Sequence, residues 1–142
     1  MSQENVEIVR EAFIATSGGD PAAALWAWDP AIEWDMSGVT GWTENRVYRG
    51  LGVVGEFLQE WADSWRDWHF DVEEVRDGGQ EQVFAAIHEW GTGVESAASV
   101  DQRRYFAVDL SEGRIVRVRM FSERAEALEA MGMSEQDALA DS

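Results

Sequence analysis

The chain has no cysteine and no lysine, and only two histidines and two prolines in 142 residues. Without cysteine there are no disulfides, thiolate nucleophiles or cysteine-bound zinc, which suits a reducing compartment. Without lysine, no side chain can form a Schiff base. Two histidines cannot build a three-histidine zinc site, so no metal is expected. Basic residues are scarce altogether: eleven, all arginine, stand against 28 acidic residues, for a formal charge of −17. So acidic a surface is ill-suited to phosphate contact, so neither nucleic acid nor an anionic membrane is expected as a partner. Solubility is the simplest consequence of the charge. No apolar run approaches the roughly 18 residues of a membrane span, and the opening MSQENVEIVREAF is amphipathic, with charges inside it. A soluble, cytoplasmic protein is therefore expected.

Against these absences stands an apolar share of 45%, with eight tryptophans and six phenylalanines. A chain of this length can form a single domain, 1–142, burying roughly 68–70% of its unfolded surface. Val6, Val9 and Phe13 recur at helical spacing and predict a helix over 3–17, ended by Ser17-Gly18-Gly19. Asp20 offers an N-cap and Pro21 a first helical position for a short second helix, PAAALWAW, which stops at Asp29-Pro30. Residues 31–36 alternate, with Ile32, Trp34 and Met36 on one face and Glu33 and Asp35 on the other, as a strand with one dry face does. After a loop, Val54, Phe57, Leu58, Trp61 and Trp65 mark a third helix over about 51–65. Four strand-like runs follow, at 69–76, 82–90, 99–110 and 114–121. Turns are expected at Asp77-Gly78-Gly79, at 91–98 and at Ser111-Glu112-Gly113. A last helix is predicted over 123–131, with Gly132 as its C-cap. Strands do not alternate with helices in the second half, so the fold class is α+β with one mainly antiparallel sheet, dry on the face that the early helices cover.

That order, together with the stretches NVEIVREAFIATSGGDPAAAL, DPAIEWDMSG, VYRGLGVVGEFLQEW and FAVDLSEGRIVRVRMFSERAEALEAMGM, resembles the SnoaL-like branch of the nuclear-transport-factor-2-like superfamily. The resemblance implies a cone-shaped fold, with a curved sheet wrapped around N-terminal helices and the third helix closing a pocket. It also implies a homodimer built through the sheet. Members of that superfamily include ketosteroid isomerases, polyketide cyclases, dehydratases and epoxide hydrolases, along with binding modules that have no catalysis. Two readings follow. In one, the chain is a cyclase or isomerase acting on an apolar cyclic or polyketide-like substrate by aspartate-based proton transfer. In the other, it is a non-catalytic ligand-binding or dimeric interaction module.

For the first reading, AIEWDMSG resembles the ketosteroid isomerase segment that carries the general base, and it places that role on Asp35. A carboxylate at an apolar pocket mouth could move a proton between substrate carbons. Strict alternation puts Asp35 opposite Trp34, so both can line one pocket only if the strand bulges. The isomerase's first-helix tyrosine falls near Ala12 or Phe13, neither of which donates. Tyr105 occupies the position of its protonated aspartate and could serve as a hydrogen-bond donor. His88, in AAIHEW, is a third polar candidate, read as sharing a face with Phe84, Ala86 and Trp90, and His69 reads as structural. Trp34, Tyr48, Trp61, Trp65 and Trp90 are the expected walls for a small apolar or aromatic molecule. Asp101 and Arg103 share a strand face and resemble, in reversed order, the Asp/Arg pair of the epoxide hydrolases. The literal GxGxxG at Gly50, Gly52 and Gly55 lacks the preceding parallel strand of a dinucleotide site, and no cofactor is expected. Arg117 and Arg119 alternate with Val116, Val118 and Met120 as one charged sheet face.

Overall fold

A computed structural model describes residues 2–17, 21–42, 46–94 and 98–133. Helix α1 (Ser2–Ser17) is followed by a short 3-10 helix (Pro21–Ala27), strands β1 (Trp28–Gly38) and β2 (Val47–Arg49), and helix α2 (Leu51–Asp63). Strands β3 (His69–Gly79), β4 (Gln82–Thr92), β5 (Ser99–Ser111) and β6 (Arg114–Phe121) come next, and α3 (Arg124–Ala130) follows them. The strands form one open sheet in the order β2-β1-β6-β5-β4-β3. β1 runs parallel to β6, and every other pairing is antiparallel. This is the α+β architecture expected from the sequence. The proposed cap at Asp20 and the stop at Gly18-Gly19 lie outside the described residues.

Several boundaries differ from those expected. Trp28 opens β1 instead of ending a helix, and the register against β6 is irregular between Trp28 and Glu33, around Pro30. That fits proline's missing ladder donor. The segment before α2 is not all loop: Val47–Arg49 pairs antiparallel with β1. That pairing removes the parallel context which a dinucleotide site needs around Gly50. The β3–β4 hairpin turns on three successive positive-φ residues, of which only Gly79, at 77°, is a glycine; Gln80 and Glu81 take the other two, at 53° and 60°. Gly78 is used for close approach instead, since a side chain there would run into Met131.

The inner face of the sheet carries Trp34 and Met36 from β1, Val83, Ala85 and Ile87 from β4, and Phe106 and Val108 from β5. It packs on Val6, Val9 and Phe13 of α1 and on Val54, Phe57 and Leu58 of α2, the stripes read from sequence. Val9, Ile32 and Val54 are wholly buried, each worth about 1.5–3 kcal/mol of transfer free energy. The sheet is not dry on one face only. Phe84, Ala86 and Ala107 bury their outward side against Ala127, Leu128 and Met131. Arg124 fixes α3 there, with its guanidinium 5.0 Å from the Phe84 ring centroid and two bonds to Glu74 at 2.8 and 3.1 Å.

The hydrogen bonds from Arg124 hold the Glu74 carboxyl below the usual glutamate range, with Arg76 acting in the same direction against partial burial. A group whose folded value is depressed contributes its full stability above the ordinary range and loses it as pH falls through the folded value. The melting temperature of wild type is therefore expected to fall more steeply than that of Glu74→Gln as the pH is lowered from 5 to 3, as followed by circular dichroism. A second strap joins the α2–β3 bend to β4. Arg66 N–H donates to the Thr92 carbonyl at 2.7 Å and Thr92 N–H to Asp67 Oδ1 at 2.8 Å. Gly91 lies beneath this bend, where a methyl group would strike the Asp67 carbonyl oxygen. Gly91→Ala should cost about 1–3 kcal/mol of stability in urea unfolding, as overpacking against backbone does.

Candidate functional site

The inner wall is built by parity. Residues of β1, β3, β4, β5 and β6 that alternate toward α1 and α2 enclose a cavity of about 60 Å³. Its lining includes Phe13 and Thr16 of α1, Trp28, Trp34 and Met36 of β1, and Phe57, Leu58 and Trp61 of α2. Trp68, Phe70, Ile87, Glu89, Phe106 and Met120 complete it. The size suits a ligand of a few heavy atoms, well below the roughly 300–1,000 Å³ of sites for drug-sized molecules. Trp28 also borders a separate outer groove with Leu25, Leu51, Gly52 and Gly55.

Glu89 is the one ionisable residue on this wall among the described residues, and it is 1% exposed. A carboxylate can lie so deep only when hydrogen-bonded. Its Oε2 accepts from Trp61 Nε1 at 2.9 Å and from Trp68 Nε1 at 2.8 Å, and its Oε1 accepts from Gln102 Nε2 at 2.8 Å. Each donor has a structural reason to be there. Trp61 lies four residues after Phe57 on the buried stripe of α2, Trp68 leaves the strapped bend, and Gln102 stands opposite Glu89 in the β4–β5 ladder. Behind Gln102, Arg104 Nη2 donates to Gln102 Oε1 at 3.0 Å and Nη1 to Ser122 Oγ at 3.1 Å. Burial pushes the Arg104 guanidinium below its ordinary value, and the charge of Glu89 opposes that shift. Arg104 thus answers the charge of Glu89 through an intervening amide.

The donors on the wall are largely spent. Trp61 and Trp68 give their N–H to Glu89, Trp34 Nε1 lies 3.2 Å from Met36 Sδ, and Thr16 Oγ1 donates to the Ala12 carbonyl at 2.9 Å. A carboxylate offers about four acceptor positions, of which three are filled, leaving one on Oε1.

The three residues expected to carry chemistry are not on this wall. Asp35, His88 and Tyr105 all project from the outer face. Asp35 follows strict alternation opposite Trp34, and its Oδ1 accepts the Ser37 N–H at 2.8 Å. His88 Nε2 is 2.7 Å from Asp101 Oδ1, and its ring lies 4.9 Å from Trp90. Tyr105 stacks on Phe84 and packs beside the α3 cluster. Register brings His88 and Tyr105 onto neighbouring β4 and β5 positions, with Asp35 two strands away on β1. Asp101 and Arg103 share the outer face as read, but Asp101 meets His88 and Arg103 meets Glu73. Arg117 and Arg119 stand there too, among Glu33 and Asp109.

Of the expected walls, Trp34 and Trp61 line the cavity. Tyr48 stacks on Phe57 behind it, with centroids 4.2 Å apart. Trp65 lies past the end of α2, bridged to Gly93, and Trp90 is on the outer face between the two histidines. Sequence reasoning missed Trp28, Trp68 and Glu89. The available signal was the β4 alternation Val83, Ala85, Ile87, Glu89, whose face could have been chosen as the inner one.

Neither a protein-family model nor a curated protein sequence matches the chain. Solved structures do match. A protein assigned as a SnoaL-like polyketide cyclase from Jannaschia sp. CCS1 superposes with a TM-score of 0.73 at 16% identity, over 92% of each chain. A nuclear-transport-factor-2-like protein from Burkholderia xenovorans LB400 gives 0.69 at 22% identity, over 92% of this chain and 98% of the other. TerC, co-crystallised with polyporic acid, gives 0.71 at 14% identity, over 91% of this chain and 98% of its own. At such identities the likeness is one of architecture, and the chain has the nuclear-transport-factor-2-like cone fold.

Proposed function

We propose that this protein takes a small, largely apolar molecule into its inner cavity and acts on it by carboxylate-based proton transfer, as an isomerase or cyclase would. The base is Glu89, in the role that local resemblance assigned to Asp35. One observation carries the reading: a single buried carboxylate, held by three donors and keeping one acceptor position open, stands in an otherwise aromatic and aliphatic cavity. A base so placed takes a proton from a substrate carbon and returns it to another without competition from water. A fold neighbour, TerC, was crystallised with polyporic acid, which supports a ligand-holding use of this fold.

The spent donors favour a second reading, a binding module without turnover, because they leave little to stabilise an oxyanion. Deuterium exchange at the α-carbon of a small cyclic ketone, followed by NMR, separates the two. Catalysis predicts exchange above the buffer rate, lost by about 100-fold or more in Glu89→Gln and retained in Asp35→Asn. Tryptophan fluorescence that responds to the ketone without any exchange would leave the binding module. We also propose that the chain pairs with a second copy through the outer sheet face, where Arg117 and Arg119 alternate with Glu33 and Asp109. Sedimentation at micromolar concentration should give a dimer, and a monomer there would refute the pairing.

A further inference from the structure

The donor and acceptor inventory of the cavity says more about its ligand than its shape does. A ligand entering the site meets aromatic rings on most sides and a single carboxyl group on the wall, that of Glu89. Donors on Trp34, Trp61, Trp68 and Thr16 are already used. A carboxylate placed here would meet a like charge and find few donors. The positive charge of Arg104 stands behind Gln102 and is absent from the cavity lining.

We infer that the cavity is a site for a small organic cation, a protonated amine or iminium of a few heavy atoms, with Glu89 as its counter-ion and the surrounding rings as its cage. The inference rests on the cavity being a ligand site, and it names the class of ligand. Indole faces attract cations through the ring quadrupole, most strongly where water is excluded. The eight aromatic side chains on the wall supply those faces, and Glu89 supplies a charge-assisted acceptor. The cavity's volume of about 60 Å³ limits the group to the size of a branched alkylammonium.

A cationic ligand also resolves the shortage of oxyanion donors. When Glu89 removes a proton from the carbon next to an iminium, the C–H electron pair becomes a C=C bond and the C=N π pair moves onto nitrogen. The product is a neutral enamine with the proton on Glu89, so negative charge never develops on the substrate and no donor is called for.

The test compares two probes of nearly one shape, tert-butylammonium and tert-butanol, titrated at pH 7 by calorimetry and by quenching of tryptophan fluorescence. The ammonium should bind at least about tenfold more tightly, as cation–π and charge-assisted contacts together predict. Glu89→Gln should abolish that preference. Asp35→Asn, which removes one charge from the outer face, should keep it and so exclude general attraction to an acidic protein. Should Glu89→Gln fail to fold by circular dichroism, Trp61→Phe serves instead, and a loss of several-fold in ammonium affinity with little change for the alcohol is expected. Equal binding of the two probes would overturn the cation assignment while leaving a ligand cavity in place. Binding of neither would overturn both.

Discussion

A carboxylate shut among indole and phenyl rings must be surrounded by donors, and much of this molecule is arranged to supply them. Removing an ion from water costs several kcal/mol even after the protein relaxes, unless hydrogen bonds replace the hydration. Glu89 obtains its three from three different parts of the chain: a helix, a bend and a neighbouring strand. α2 must therefore stop with Trp61 facing inward. The bend after α2 must be tied to β4 so that Trp68 points back, and β5 must keep the register that sets Gln102 opposite Glu89. The glycine at position 91 belongs to the same arrangement, because the bend lies against its backbone.

The outer face follows a different rule. There the sheet carries Arg103, Arg117 and Arg119, interleaved with acids. Arg103 meets Glu73, Arg117 lies between Glu33 and Asp109, and Arg124 reaches Glu74. The exposed pairs contribute little singly. Arg103 also forks onto Glu73, but Arg124 is more buried and lies over an aromatic ring, so it pins a helix to the sheet. The extra residue at the β3 irregularity, Glu73, is what lets Glu74 and Arg76 stay on the same outer face as Asp71. A β-bulge of this kind resets parity along a strand.

The element order was legible because its signals are local. Helical spacing located α1 and α2, period-two alternation located β1, and positive-φ glycines marked the β5–β6 turn at Gly113 and the chain's reversal at Gly132. Trp34 and Trp61 were readable as cavity wall for the same reason. What could not be read was which face of a strand is inside when both faces are apolar. β4 reads Val-Phe-Ala-Ala-Ile-His-Glu-Trp, and the α3 cluster gives its outer side an apolar set as good as the inner one. Choosing the Phe84 parity carried His88 and Trp90 inward and put Glu89 outward, where one acid among 28 draws no notice. Trp65 misled differently, since the helical stripe continues in sequence for two residues after the helix has ended at Asp63.

A segment-level resemblance fixes a strand and its register more securely than it fixes chemistry. AIEWDMSG sits in β1, the strand that its likeness implied, and still its aspartate faces away from the cavity, because no bulge intervenes between Ile32 and Met36. In a cone assembled from five inward-facing strands, a functional side chain can be supplied by any of them so long as its donors converge. The polar residue of such a site is therefore better located by asking where hydrogen bonds from distant segments meet than by where one acidic residue sits along a strand. Here they meet at Glu89, with indole N–H groups from positions 61 and 68 and an amide from position 102. Because those donors are committed to the protein, what remains for a ligand is chiefly ring faces and the Glu89 carboxylate, beside the indole N–H of Trp28, which constrains the ligand's charge more tightly than the cavity's shape constrains its outline.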